Sequence, residues 1–75
     1  MNITKTLDAK GLACPMPVVR TKKAMDTMNS GEVLEVLATD KGALSDIPAW
    51  AKSGGHTIVE QKTEEDVLYF YIQKA

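Results

Sequence analysis

The chain has 75 residues, of which 44% are hydrophobic and 25% charged, and its formal net charge is −1. This size and balance predict one small domain over residues 1–75, without the charged tails typical of non-specific nucleic-acid or lipid binding. With one cysteine and one histidine, an internal disulfide is excluded and a structural zinc site is not expected, and no cofactor motif stands out. No stretch resembles a signal peptide or a membrane span, which favours the cytoplasm.

The first half of the chain predicts a strand, a helix and a second strand. Apolar and polar residues alternate over Ile3–Asp8, as in a half-buried strand. Asn29-Ser30-Gly31 ends a helix predicted over Pro15–Met28, whose inward face recurs at helical spacing at Val18, Thr21, Met25 and Met28. The segment Glu32–Thr39 is apolar on both faces, which indicates a central strand.

A second helix follows this strand. Asp40 is suited to cap it, because its carboxylate can accept hydrogen bonds from the free N–H groups of a first turn. Pro48 is tolerated in a first turn but not in a helix interior. We therefore expect a turn over Lys41–Ser45, a helix from about Asp46, and its end at Gly54-Gly55.

Two more strands complete the chain. The segments Thr57–Gln61 and Val67–Gln73 have strand patterns, and Lys62–Asp66 connects them over the length of a hairpin loop. The third and fourth strands are therefore predicted to pair antiparallel. The alternation in the fourth strand places Leu68, Phe70 and Ile72 on one face and Val67, Tyr69 and Tyr71 on the other.

The resulting order βαβαββ predicts an α+β fold. It is a two-layer α/β sandwich, a four-stranded mixed sheet with both helices on one face. The opposite face then meets solvent, with Glu35, Tyr69 and Tyr71 as its expected occupants. The two tyrosines could stack on nucleic acid, but the near-neutral charge favours cross-strand packing, so no direct nucleic-acid partner is expected.

The single cysteine lies in the sequence Cys14-Pro15-Met16-Pro17. With Pro15 at the first helical position, Cys14 becomes the N-cap, next to the positive end of the helix dipole. Pro17 lacks an N–H, which leaves the Met16 amide as the expected donor to sulfur. Such a position predicts a lowered cysteine pKa and a reactive thiolate. The alternative is a buried structural thiol, the more common role of a lone cysteine.

A helical wheel places four residues on the side of this helix opposite its buried positions. They are Met16, Val19, Arg20 and Lys23. Exposed apolar residues bordered by basic ones beside a reactive atom favour a docking surface for another macromolecule. The alternative for the lysines is an ordinary solvated helix face.

The remaining residues limit the chemistry open to Cys14. His56 lies at the start of the third predicted strand and is not expected near the thiol, so cysteine-protease chemistry lacks its base. A thioredoxin-type exchange lacks its second cysteine. A lone accessible thiolate can still form a persulfide reversibly, which favours a carrier of sulfur over a stand-alone catalyst.

With these motifs the chain closely resembles the TusA/SirA-like sulfur carrier proteins, over nearly its whole length. The residues that carry the resemblance are Leu7-Asp8, Gly11-Leu12, Cys14-Pro15-Met16-Pro17 and Thr21-Lys22-Lys23-Ala24, followed by Thr39-Asp40, Asp46-Ile47-Pro48-Ala49-Trp50 and Gly55-His56. The resemblance implies the βαβαββ sandwich derived above.

The resemblance also implies a function and partners. A cysteine matching Cys14 accepts sulfane sulfur from a cysteine desulfurase or a rhodanese-like donor and passes it to an acceptor protein, in tRNA thiolation, cofactor assembly or sulfur metabolism. We expect a monomer. The alternative is a regulatory or adaptor module that binds a protein through the same surface without moving sulfur.

The second family signature contains Asp46, Pro48 and Trp50. Trp50 lies at the flank of the apolar stripe of the second helix, where a tryptophan usually closes the edge of a core. The alternative places Trp50 beside Cys14, as a shield for the persulfide or a partner contact.

Overall fold

The computed structural model describes residues 2–75, which form two helices and four strands. In chain order they are β1 (Lys5–Ala9), α1 (Met16–Asp26), β2 (Val33–Ala38), α2 (Ala43–Ser53), β3 (Thr57–Glu64) and β4 (Val67–Gln73). The predicted order βαβαββ is confirmed. Neither helix in this part of the chain is long and apolar enough to cross a membrane.

The sheet has the strand order β1-β2-β4-β3. β1 runs parallel to β2, whereas β2 pairs antiparallel with β4 and β4 pairs antiparallel with β3, so the sheet is mixed. The helices contact each other and the sheet, which gives the two predicted layers. β2 is a central strand, as its apolar residues on both faces indicate.

The core lies between the helices and the sheet. Thr21, Met25 and Met28 on one side and Phe70 and Ile72 of β4 on the other are all buried. The helical period of the α1 segment and the period-two pattern of β4 therefore identified the residues that pack between the helices and the sheet.

β3 is longer than expected, because it continues through Glu64. The predicted loop Lys62–Asp66 reduces to a two-residue turn at Glu65 and Asp66, whose φ angles of 49° and 66° match a tight hairpin turn. β3 is an edge strand whose residues are mostly exposed, so its polar end can pair with β4 without burying charge.

The start of α2 also differs from the prediction. The helix begins at Ala43 with Gly42 as N-cap, so Pro48 lies inside it. Pro48 cannot donate to the carbonyl of Leu44, and exposure of Leu44 leaves that end of the helix accessible to water. Asp40 does not cap the helix, since its carboxylate accepts a different hydrogen bond, described below.

The expectation that Tyr71 faces solvent is wrong. Tyr71 is buried because β4 is a central strand, and its neighbours Glu35 and Glu60 flank it on the adjacent strands. Its hydroxyl donates to Glu35 over 2.7 Å, and this hydrogen bond, followed by desolvation and the charges of Glu35 and Glu60, raises the pKa of Tyr71 to about 12. Tyr69 is half-buried, with the Lys62 ammonium 5.2 Å from its ring centre.

Candidate functional site

The parallel pairing of β1 and β2 places the loops that follow them at the same edge of the sheet. Two hydrogen bonds join these loops. The Gly11 N–H donates to the Thr39 hydroxyl over 2.9 Å, and the Cys14 N–H donates to the Asp40 carboxylate over 2.8 Å. Gly11 has a φ of +80°, a conformation that suits glycine. The backbone of the cysteine loop is thus fixed from outside its own helix.

The sulfur of Cys14 has a partner of its own. Cys14 is exposed, and its thiol donates a hydrogen bond to the carboxylate of Asp46 in the first turn of α2. Gly42 leaves room for the Asp40 carboxylate beside the cysteine loop, because a Cβ there would lie only 3.2 Å from that carboxylate. Two carboxylates from one side of the fold therefore hold the backbone and the thiol of Cys14.

The start of α1 corrects the predicted N-cap. Pro15 is the N-cap, and its carbonyl accepts the first helical hydrogen bond, from the Val19 N–H at 3.1 Å. The Met16 amide donates to the Ala13 carbonyl over 2.9 Å, which closes a turn before the helix. The prediction that Met16 donates to sulfur is therefore wrong, although Cys14 still lies directly before the helix.

The prediction of a lowered cysteine pKa is also wrong. The pKa of Cys14 is raised, first by the hydrogen bond to Asp46, then by desolvation, and then by the negative charges of Asp46 and Asp40. A carboxylate that accepts the thiol proton stabilises the neutral form. The free protein therefore presents a protonated thiol at neutral pH.

The outward face of α1 is as the helical wheel predicts. Met16 and Val19 are 38% and 37% exposed, and Arg20 and Lys23 are exposed on the same side. We call these four residues the α1 face. Leu44 of α2, 43% exposed, is another apolar side chain available to solvent in the first turn of the helix that carries Asp46.

The remaining candidates lie elsewhere. Trp50 is partly buried and packs against the core, with its ring centre 5.0 Å from that of His56. His56 accepts a hydrogen bond from the Ala75 N–H over 3.0 Å, at the far end of α2 from Asp46. Within residues 2–75, no group of three or more His, Cys, Asp or Glu side chains is arranged to hold a metal ion.

A cleft of about 410 Å³ opens near the same edge of the sheet. Its walls come from Thr39, Lys41, Leu44, Thr63, Asp66 and Leu68. Cys14 is not among them, so the sulfur is presented on the surface rather than at the bottom of a substrate pocket.

The whole of this arrangement falls inside a match to a known family. The family model described as sulfurtransferase TusA matches residues 5–74. The chain belongs to the TusA family. The chain is 65% identical to the "Putative sulfur carrier protein YrkI" of Bacillus subtilis (strain 168), over 99% of both chains. It is 46% identical to the "Sulfur carrier protein TusA" of Allochromatium vinosum, over 92% of this chain and 91% of that protein.

A solved structure agrees with the fold. The crystal structure of the SirA-like protein from Desulfitobacterium hafniense superposes with a TM-score of 0.83 at 29% identity, covering 93% of this chain and 96% of that one. The resemblance to TusA/SirA-like proteins is thus confirmed.

Within this TusA-family chain, Asp46 is the functional candidate whose role the sequence reasoning missed. The sequence indicates Asp46 only as part of the second family signature, 32 residues from Cys14 along the chain. The predicted topology could have indicated this contact. Asp46 lies in the first turn of the helix after β2, and the parallel pairing of β1 with β2 brings that end of β2 next to the loop after β1.

Proposed function

We propose that this TusA-family protein is a sulfur carrier that holds sulfane sulfur as a persulfide on Cys14 and relays it between proteins. The observation that supports the proposal most directly is that the only cysteine of the chain has an exposed thiol. The backbone N–H of Cys14 donates to the Asp40 carboxylate, which fixes the residue at the ends of β1 and β2. The named relatives, one a sulfur carrier protein and one a putative one, support the same role. We further propose that the protein acts as a monomer in the cytoplasm.

The proposed partners are a cysteine desulfurase or rhodanese-like donor and a downstream acceptor protein. A persulfide on a surface thiol can be reached by the thiolate of a second protein, which a buried pocket would prevent. The α1 face offers apolar contact from Met16 and Val19 and positive charge from Arg20 and Lys23. A partner with acidic residues around its reactive cysteine would complement this face.

The direct test is sulfur loading. Incubation with a cysteine desulfurase and L-cysteine should add about 32 Da, the mass of one sulfur atom, and a thiol reductant should remove it. Peptide mapping should place the added sulfur on the peptide that contains Cys14. The absence of any mass change with several active desulfurase and rhodanese donors would refute the proposal.

Charge reversal tests the α1 face. Replacing Arg20 and Lys23 together with glutamate should slow loading from the protein donor about ten- to a hundredfold at low ionic strength, because electrostatic steering is lost. Loading from inorganic polysulfide, which needs no docking, should be far less affected. The matched control reverses Lys22 and Lys52, which are exposed but lie outside the α1 face, and equal slowing in that control would argue against a specific docking surface.

A further inference from the structure

The thiol of Cys14 is exposed, yet it is held in its protonated form. The charged groups that act on it come from the side of the fold that follows β2: Asp46 of α2 accepts the thiol proton, and Asp40 of the preceding loop accepts the backbone N–H. Lys10 and Lys41 lie in the same two loops. The ion pair that residues 2–75 form is Lys62–Glu64, so neither carboxylate has a lysine or arginine partner in the described part of the chain.

This arrangement sets a condition on any protein that covers Cys14. Docking over the sulfur removes water from Asp46, and a buried carboxylate without a compensating charge is strongly unfavourable. A positive group on the partner, placed against Asp46, would compensate this cost. That group would also draw the carboxylate away from its role as acceptor of the thiol proton and favour the thiolate.

We propose that Asp46 is a gate on sulfur uptake, which keeps the proton on Cys14 in the free protein until the sulfur donor places a cationic side chain against the carboxylate. This inference rests on the proposed function and adds to it the chemistry of the partner's contact. Asp46 acts here as a positioning residue, since it forms no bond to the transferred sulfur. The donor surface that results is bipolar, acidic opposite the α1 face and basic opposite Asp46.

The transfer step that the gate controls balances without an oxidant. Once Asp46 is paired, the exposed Cys14 thiol gives its proton to water and the thiolate attacks the terminal sulfur of a donor persulfide, R–S–SH. A sulfur–sulfur bond forms at Cys14 as the donor's sulfur–sulfur bond breaks, and the electron pair of that bond leaves on the donor sulfur. The leaving thiolate takes up a proton, so the products are Cys14–S–SH and R–SH.

The first test is alkylation of the free protein with iodoacetamide from about pH 5 to about pH 10. In Asp46→Asn the pH at the midpoint of the alkylation profile should fall. Each pH unit of this fall should raise the alkylation rate of Cys14 at neutral pH about tenfold. Asp40→Asn keeps the hydrogen bond between Asp46 and the Cys14 thiol, so the midpoint of its alkylation profile should shift less. Asp26→Asn makes the same charge change at the other end of α1 and should leave the profile unchanged.

The second test compares two sulfur sources. We expect Asp46→Asn to load faster than the wild type from inorganic polysulfide but to lose this advantage with a cysteine desulfurase. The loading rate with the desulfurase, divided by the loading rate with polysulfide, should therefore be about tenfold or more lower in Asp46→Asn than in the wild type. Asp46→Glu retains the carboxylate and should recover part of that ratio. A variant that merely folds poorly would lower both rates together, and circular dichroism identifies it.

An Asp46→Asn profile with an unchanged or higher midpoint would overturn the gate, as would an unchanged ratio of the two loading rates. The failure of the proposed function looks different, because the wild type would then take up sulfur from neither source. The alkylation profiles need no donor and still decide whether Asp46 holds the thiol proton.

Discussion

Replacing Cys14 with serine is expected to abolish sulfur uptake completely while leaving the fold intact. A serine hydroxyl cannot form a persulfide, so the adduct of about 32 Da and all delivery of sulfur to an acceptor should disappear. The Cys14 side chain is exposed and its backbone N–H bond to Asp40 does not depend on sulfur. The free energy of unfolding should therefore change by no more than about 0.5 kcal/mol, measured by urea unfolding.

The same variant separates the carrier from the adaptor hypothesis. A carrier loses its biological activity with Cys14→Ser but still binds its donor. An adaptor retains both binding and activity with Cys14→Ser and loses them only when the α1 face is reversed. An adduct that persists on the serine variant would place the sulfur elsewhere in the chain and contradict the carrier role of Cys14.

Much of the fold was predictable because burial imposes a period on the sequence. The alternation in β4 and the helical spacing in α1 correctly identified Phe70, Ile72 and Met25 as core residues. The errors lie where burial gives no pattern. The end of β3 is an exposed edge, so its polar residues resemble a loop, and α2 contains Pro48 because one missing hydrogen bond is tolerable beside exposed Leu44.

The site was predictable at Cys14 and less so around it. A local motif can indicate that a thiol precedes a helix, but the partner of that thiol is Asp46, 32 residues away along the chain. The predicted pKa shift had the wrong direction because the local view included the helix end and omitted this carboxylate. The hydrogen bond to Asp46 favours a protonated thiol in the free protein, whereas the local motif alone indicates an activated thiolate.

Replacement of Phe70 with alanine should destabilise the protein more than any surface change discussed above. Phe70 is fully buried on a central strand, and truncation of a buried phenylalanine usually costs about 3–5 kcal/mol in the free energy of unfolding. At roughly 0.05–0.15 kcal/mol per residue, a chain of this length is stabilised by only about 4–11 kcal/mol in total. The variant should therefore unfold at a much lower urea concentration, or be partly unfolded without urea.

Unfolding can be followed through Trp50, the only tryptophan, which packs against the core, with circular dichroism as a second probe. Val59→Ala is the matched control, because Val59 is 45% exposed at the irregularity in β3 and its truncation should cost about 0.5 kcal/mol or less. Equal losses for the two variants would contradict the assignment of the core between the helices and β4. A large loss for Phe70→Ala alone would support the core assignment, and this core underlies β2, the strand that pairs with β4 and leads to the loop and helix holding Asp40 and Asp46.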